Sequence, residues 1–148
     1  MHVEDVTFTV SPNVDSVSLV TFATGARSYK IEGYKQNIQV TSSLTATDVS
    51  AKLGFSVAFK IPFAYPFENM ATVNNMLVGK FYVLVEYVNG LFGFIGYTSP
   101  LECSAADFDS NANSCFVSVT LSAPEGSAGN YFMDISIAAR KSIISKSV

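Results

Sequence analysis

Residues Lys80–Tyr97 read KFYVLVEYVNGLFGFIGY, and this stretch decides the fold. Two apolar, aromatic-rich runs flank the dipeptide Asn89-Gly90. A type I′ turn needs a positive φ at both central residues, which Asn-Gly adopts readily between two strands. The stretch therefore predicts a β-hairpin whose turn at Asn89-Gly90 fixes the register of the two arms.

The first arm of this hairpin is apolar on both faces, with Glu86 as the exception. One alternating set is Tyr82, Leu84 and Glu86, and the other is Phe81, Val83, Val85 and Tyr87. Strands with two apolar faces are buried on both of them. We therefore expect a helix or a second sheet to cover one face, and another protein chain to contact the other face or the hairpin tip.

Short alternating segments separated by turn signals fill most of the remaining chain. A turn signal roughly every 8–12 residues indicates a mainly antiparallel β domain. The predicted strands are Val6–Val10, Val17–Ala23, Ser28–Tyr34, Asn37–Leu44, Phe55–Phe59, Phe116–Ser122 and Tyr131–Ile137. Thr45–Gly54 stays open between a short helical turn and a loop, and two prolines in Ile61–Pro66 favour a connection outside the sheet.

One segment, Pro66–Val78, has helical periodicity in its apolar residues. Pro66 suits the first position of a helix, Glu68 suits its positive end, and Gly79 suits the C′ position that ends it. The length predicts one domain over residues 1–148. The predicted fold class is mainly β (α+β), an antiparallel β-sandwich or barrel-like sheet with one helix packed on it.

The chain is poor in charge for its size. Hydrophobic residues make up 49% and charged residues 14% of its 148 residues, against about 25% charged in typical soluble domains. With so few charges, part of the surface is expected to be covered by another chain or by another copy of this one. The alternative is a compact β protein that Ser, Thr and Asn solvate without charge.

The distribution of charge argues against nucleic acid and membranes as partners. The net charge is −3, without the clustered Lys and Arg of a nucleic-acid surface. No apolar run approaches the length of a membrane span, and the first ten residues do not resemble a targeting signal, which predicts synthesis in the cytoplasm. Residues 139–148 hold Arg140, Lys141 and Lys146 and predict a basic tail, either flexible or docked on an acidic neighbour.

No combination of residues in the sequence indicates catalysis. His2 is the single histidine, and at the terminus we expect it to fray rather than serve as an oriented base. Glu86 and Glu102 could approach each other as a carboxylate pair, although pairing with a lysine is the simpler interpretation. The phosphate-binding patterns G-x-x-x-x-G-K-[ST] and G-x-G-x-x-G do not occur. We predict no enzyme activity and no cofactor.

Cys103 and Cys115 bracket a polar loop, Ser104–Ser114. If the flanking strands pair, a cross-strand disulfide is geometrically possible, but two reduced thiols are the expectation for a protein made in the cytosol. A D-x-D-x-N-x-N spacing that begins at Asp107 matches the start of an EF-hand calcium loop. Its sixth and twelfth positions are not the required Gly and Glu, so no metal site is predicted.

The C-terminal half shows a succession of strand and turn types. A hairpin that ends in Gly-Tyr-Thr-Ser precedes a polar loop, an alternating strand, a short acidic loop and an aromatic run that ends in Asp. The pieces are Phe81–Tyr97 with Gly96–Ser99, Asp107–Ser114, Phe116–Ala123 with Pro124–Glu125, and Tyr131–Asp134. This succession resembles small tail-region virion structural proteins of tailed phages that infect Bacteroidetes, including crAss-like phages. The resemblance implies a structural subunit that packs in a ring on or near the tail, without enzyme activity.

Two functional hypotheses follow. The first is a virion subunit in or near the tail or neck, made in the host cytoplasm, that contacts copies of itself and neighbouring virion proteins through sheet edges and apolar surfaces. Its predicted interface residues are Phe81, Val83, Val85, Tyr87, Asn89, Phe92, Arg140 and Lys141. The alternative is a β-sandwich binding module that recognises a glycan or a protein through residues 104–114 and exposed tyrosines. The candidate tyrosines are Tyr82, Tyr87, Tyr97 and Tyr131.

Overall fold

A computed structural model gives the architecture and describes residues 1–11, 16–31, 38–46, 51–62, 74–108, 116–124 and 133–147. Strands dominate, which confirms the mainly β class. They are β1 (Val6–Val10), β2 (Ser16–Phe22), β3 (Gln39–Ala46), β4 (Ala51–Pro62), β5 (Lys80–Phe81), β6 (Val83–Glu86), β7 (Phe92–Ile95), β8 (Leu101–Phe108), β9 (Phe116–Ser122) and β10 (Asp134–Ile135). A 3₁₀ helix covers Val3–Asp5, residues 74–78 are helical, and the C-terminal helix covers Ile137–Ser145.

Five antiparallel strands form the large sheet, in the order β3–β4–β9–β8–β5. Apolar residues alternate along β4 and β9, and the period of two places them on one face of the sheet. This inner face carries the first core. Its buried members are Phe55, Val57, Phe59, Met76, Phe81, Val85, Ile95, Leu101, Val117, Val119 and Leu121.

The other strands form a second layer. β1 pairs with β2 antiparallel, and β10 pairs with β2 parallel. Phe94 on β7 joins this group to the β6–β7 hairpin, because its N–H and C=O bond the backbone of Met133 at 2.9 and 3.0 Å. The described strands do not close into a barrel, so the layered alternative of the prediction fits the structure.

The hairpin lies between two cores of the same chain. Val85 and Ile95 on one face belong to the first core. Tyr82 and Phe94 on the other face belong to a second core, in which β1, β2, β10 and the C-terminal helix meet. The buried members of the second core are Val6, Val17, Val20, Tyr82, Phe94, Met133, Ile135, Ala139 and Ile143. Both apolar faces of the first arm are therefore covered without a second chain.

The turn of the hairpin differs from the predicted type I′ turn. Glu86 pairs with Phe92, so the loop spans three residues between Tyr87 and Leu91, and Gly90 has a φ of 78°. The Gly90 N–H donates to the Tyr87 carbonyl at 2.8 Å, and the Tyr87 N–H donates to the Leu91 carbonyl at 2.8 Å. This is the three-residue hairpin loop in which only the last residue needs the left-handed conformation. Asn-Gly is compatible with both loops, so the dipeptide alone does not fix the register.

The helix predicted over Pro66–Val78 is helical in its described part, residues 74–78, and the rest of the segment lies outside the described residues. It ends at Val78, as predicted. Gly79 does not have the positive φ of a left-handed C′ residue. A Cβ at this position would lie 2.8 Å from Cε2 of Phe81 and 2.9 Å from Cδ2 of His2. The glycine is required there by close packing.

Replacing Gly79 by alanine is expected to lower the free energy of unfolding by about 1–3 kcal/mol, the usual cost of overpacking a filled site. The Phe81 ring that the new methyl would meet is 7% exposed and has little room to swing away. Gly54→Ala is the matched control, because its Cβ would meet the rotatable hydroxyl of Ser43 at 3.2 Å. Urea denaturation of both variants checks this. Equal unfolding midpoints would contradict the packing argument.

Residues 139–148 do not form a flexible tail in their described part. Ser136 caps the C-terminal helix by accepting a hydrogen bond from the Ala139 N–H at 3.2 Å. Ala139 and Ile143 are buried in the second core. In the described part of the strand predicted over Tyr131–Ile137, only Asp134–Ile135 is strand, because the C-terminal helix begins at Ile137.

The serines of the C-terminal helix bind the edge of β2. Ser136 Oγ donates to the Ser18 carbonyl at 2.8 Å, and Ser142 Oγ donates to the Val20 carbonyl at 3.0 Å. These carbonyls lie beyond the short pairing of β2 with β10. The helix thus satisfies backbone groups that a sheet edge would otherwise expose, one of the known ways in which edges are protected.

Two further predictions differ from the structure. The strand predicted over Ser28–Tyr34 is wrong in its described part, where Ser28 makes an isolated bridge to Ser147 and residues 29–31 are not strand. β4 begins at Ala51, within Thr45–Gly54, for which a helical turn and a loop were the two alternatives. It continues to Pro62, and because proline is its last residue, the missing N–H does not interrupt the pairing of later residues.

No helix among the described residues is long and apolar enough to cross a membrane.

Candidate functional site

The predicted interface residues of the hairpin do not form one exposed surface. Phe81 and Val85 are buried in the first core, and Val83 and Tyr87 are half-buried against it. The prediction is wrong for Phe81 and Val85, because the first core of the same chain encloses both side chains. The sequence could not show that this cover comes from within, since it depends on which distant strands pair.

The other predicted interface residues are divided between the hairpin and the C-terminal helix. The Arg140 guanidinium lies over the Phe92 ring, 4.3 Å from its centroid, which is a cation–π geometry. Both residues are half-buried. Asn89 at the hairpin tip and Lys141 on the helix are exposed. Arg140 therefore holds the helix to the hairpin within the chain.

The tyrosines expected to be exposed are mostly covered. Tyr82 is 8% exposed in the second core, with its ring edge-on to Phe8 at 4.9 Å. Tyr87 and Tyr97 are half-buried, and Tyr131 lies outside the described residues. Burial raises the pKa of Tyr82 and of Tyr87. The exposed-tyrosine part of the binding-module hypothesis is therefore wrong for Tyr82.

A cleft of about 800 Å³ lies between the inner face of the large sheet and the hairpin. Most of its described lining is apolar, and the charged side chains among those residues are Lys30 and Glu86. The Ser28 hydroxyl, also in the lining, donates to the Ile143 carbonyl at 2.9 Å and is 3% exposed. This hydroxyl ties the C-terminal helix in place, so it has a structural role in the cleft.

His2 packs against the rest of the chain, contrary to the expectation that it frays. Its Nδ1 accepts the Glu4 N–H at 3.4 Å, and its ring stands edge-on to Phe81 with centroids 5.5 Å apart. The Met1 amino group beside it donates to the Tyr82 carbonyl at 3.1 Å. Burial lowers the pKa of this amine to about 6. These contacts attach the start of the chain to the hairpin.

Two further chemical candidates, Glu102 and Cys103, have structural partners in the described residues. Glu102 pairs with Lys80 at 3.0 Å, which confirms the simpler interpretation of that carboxylate. Cys103 lies opposite Leu121 in the ladder, and its thiol donates to the Ala105 carbonyl at 3.5 Å. Burial raises the pKa of the Cys103 thiol. Cys115 lies outside the described residues, as does the polar loop beyond residue 108.

Metal-binding groups do not converge in the part of the chain that the structure describes. No set of three or more His, Cys, Asp or Glu side chains lies close enough there to hold an ion. Asp107, the first residue of the calcium-like spacing, belongs to β8 and pairs with Ser118 on β9. The start of that spacing is thus strand rather than loop.

The outer edge of β3 is the feature that sequence reasoning missed. β3 ends the large sheet, and no described strand pairs with its outer side. Its eight residues, QVTSSLTA, include no charged residue and no proline. Natural proteins usually protect long edges with charges, prolines or bulges, and the pairing of β3 with β4 has no bulge. The sequence shows that this segment has no charged residue, but it does not show that the segment lies at the edge of a sheet.

The opposite edge of the large sheet is formed by β5 and, beyond Glu102, by the rest of β8, which carries Asp107. β5 is two residues long and carries Lys80, whose ammonium pairs with Glu102. His2 makes an isolated bridge with Phe81 there. In the second layer β1 has five residues and its pairing with β2 contains an irregularity after Thr9, while β6 has four residues and ends in Glu86. β3 is thus the longest uncharged edge among the described strands.

No protein-family model, curated protein or solved structure matches the chain. Function is therefore inferred from the outer edge of β3, which none of the described strands covers, from the low charge content and from the residues that line the two cores. Of these features, the open edge has the clearest physical consequence, because unpaired N–H and C=O groups bind another strand.

Proposed function

We propose that this protein is a structural subunit that assembles with copies of itself through the outer edge of β3. The proposed setting is the virion of a tailed phage, in or near the tail or neck. The observation that carries the proposal is the eight-residue, charge-free edge of β3 beside three protected or shorter edges. A subunit of this kind works by contact, so it needs no catalytic group.

The side chains of β3 favour contact with another protein. Leu44 is 69% exposed, and Thr41, Ser42 and Ser43 are exposed and uncharged. Pairing at this edge satisfies backbone donors and acceptors in both strands without desolvating any charged group on them. Neither face of the hairpin is part of this contact, since both are covered within the chain. Contact of the hairpin tip with another chain stays a prediction, and Leu91 there is 64% exposed.

The virion setting rests on the pattern of the C-terminal half. In the described residues, the hairpin piece of that pattern contains β6 and β7, and the alternating piece is β9. The order of genes tests this part independently of the structure. Flanking portal, tail or capsid genes are expected, and a location among metabolic genes would contradict the virion setting.

Purified protein is expected to have a mass above that of the 15.9 kDa monomer in light scattering and native mass spectrometry, increasing with concentration. Ser42→Lys is expected to shift it to monomer, because a charge within an edge strand prevents pairing. Thr7→Lys, which adds the same charge at an exposed site on β1, is the control and should associate as wild type does.

A wild-type protein that remains monomeric at every concentration would overturn the self-assembly proposal. An unchanged mass for Ser42→Lys, or an equal loss for Thr7→Lys, would show that β3 is not the contact. Circular dichroism of both variants establishes that each is folded before the masses are compared.

A further inference from the structure

We infer that two copies pair through β3 in antiparallel orientation about a two-fold axis at Ser42, which joins their large sheets into one. This inference rests on the proposed self-assembly and adds its symmetry and register. A two-fold contact uses the same patch on both copies and closes after two. The species expected from this contact is therefore a dimer.

The register of β3 with β4 assigns each side chain of β3 to a face. Directly opposite residues of an antiparallel pair share a face. Ser42 lies opposite Phe55, and Leu44 lies opposite Leu53. Because Phe55 is buried in the first core, the even-numbered residues of β3 lie on the inner face of the sheet. The odd-numbered residues lie on the outer face, where the hydroxyls of Thr41 and Ser56 are hydrogen-bonded.

Leu44 shows that the inner face is incompletely covered at this edge. It lies on the apolar side of the sheet and yet is 69% exposed. Val40, on the same face four residues before Leu44, is half-buried against the first core. A second copy that extends the sheet at β3 adds inner-face side chains next to Leu44. The exposed leucine is thus explained by the same contact that satisfies the backbone.

A two-fold axis at Ser42 pairs apolar side chains with apolar ones on the inner face and polar side chains with polar ones on the outer face. It places Val40 opposite Leu44 of the second copy, and Ile38 opposite Ala46, each pairing occurring twice. On the outer face, Thr41 then lies opposite Ser43. A centre at Ser43 would instead place Leu44 against Ser42. Cross-strand pairs of matched polarity stabilise a sheet, so the axis at Ser42 is favoured.

Cysteine cross-linking tests the register directly, in a background in which Cys103 and Cys115 are replaced by serine. Directly opposite residues have Cα atoms about 4.5–5.5 Å apart, within the range that a disulfide spans. Ser42→Cys is therefore expected to form a covalent dimer on mild oxidation, at a protein concentration where wild type associates. Thr41→Cys alone and Ser43→Cys alone are expected not to, since the diagonal separation is about 7–8 Å.

An equimolar mixture of Thr41→Cys and Ser43→Cys is expected to give the mixed dimer, because these positions are opposite each other. All three sites are exposed, so the substitutions leave the core unchanged. The readout is a non-reducing gel, with a urea-unfolded sample as the control for random collisions.

Absence of the Ser42→Cys dimer in a protein that associates by light scattering would overturn this inference and leave the proposed function standing. Cross-linking of Thr41→Cys or Ser43→Cys alone would likewise overturn it, because it would place the axis elsewhere. A wild-type protein that never associates would overturn both.

Discussion

Replacing Phe94 by alanine is expected to lower the free energy of unfolding by about 3–5 kcal/mol. Phe94 is 0% exposed, and its ring centroid lies 5.7 Å from those of Phe8 and of Tyr82. Its backbone makes the pair with Met133 that joins β7 to the rest of the second layer. Truncation leaves a cavity where three elements meet, so the loss is a large part of the about 5–15 kcal/mol that stabilises a typical domain.

Urea denaturation measures the effect, and Leu91→Ala in the same hairpin is the control. Leu91 is 64% exposed, and its truncation is expected to change stability by no more than about 0.5 kcal/mol. Because association stabilises the folded state, both variants should be compared in the Ser42→Lys background. Similar losses for the two variants would show that the hairpin is not packed between two cores.

Local alternation in the sequence predicted much of the fold correctly. Val6–Val10 and Phe116–Ser122 are strands with the predicted bounds. The two alternating sets of the hairpin face different cores, as the period of two requires. Alternation depends only on neighbouring residues, so it can be found without knowing the partners of each strand.

The cover of the hairpin and the open edge could not be predicted in this way. Both depend on the order of strands in the sheets, which pairs segments that are distant in sequence. β3 is an edge because it pairs with β4 on one side and no described strand pairs with it on the other. The expectation that another chain covers Val85 rested on the two apolar faces of the first arm alone, because the order of the strands was not known from the sequence.

The C-terminal helix was missed for a different reason. The aromatic alternation of Tyr131–Ile137 favoured a strand, and the cations favoured a solvated tail. Ser136 was the available signal, since serine is a preferred N-cap. A helix of nine residues gains little from propensity alone and depends on tertiary contacts. Here these contacts include the hydrogen bonds of Ser136 and Ser142 to the edge of β2.

Ile143→Ala tests the packing of this helix and is expected to lower the free energy of unfolding by about 2–5 kcal/mol. Ile143 is 5% exposed in the second core. Its neighbour Ile144 is 52% exposed, so Ile144→Ala is a control with the same chemical change in the same helix. Alanine favours the helix slightly at both positions, by less than about 1 kcal/mol, so propensity does not separate the two variants.

The difference between the two isoleucine variants distinguishes a packed helix from a solvated tail. A tail would leave both variants as stable as the parent protein, since neither side chain would be buried in the folded state. A helix packed by another face would reverse their order. Because the Ile143 backbone carbonyl also accepts the Ser28 hydroxyl and is unchanged by the substitution, the measured loss reports the side chain. A large effect at Ile143 beside a small one at Ile144 would therefore show that this helix is packed into the second core and that the chain covers the second face of its own hairpin.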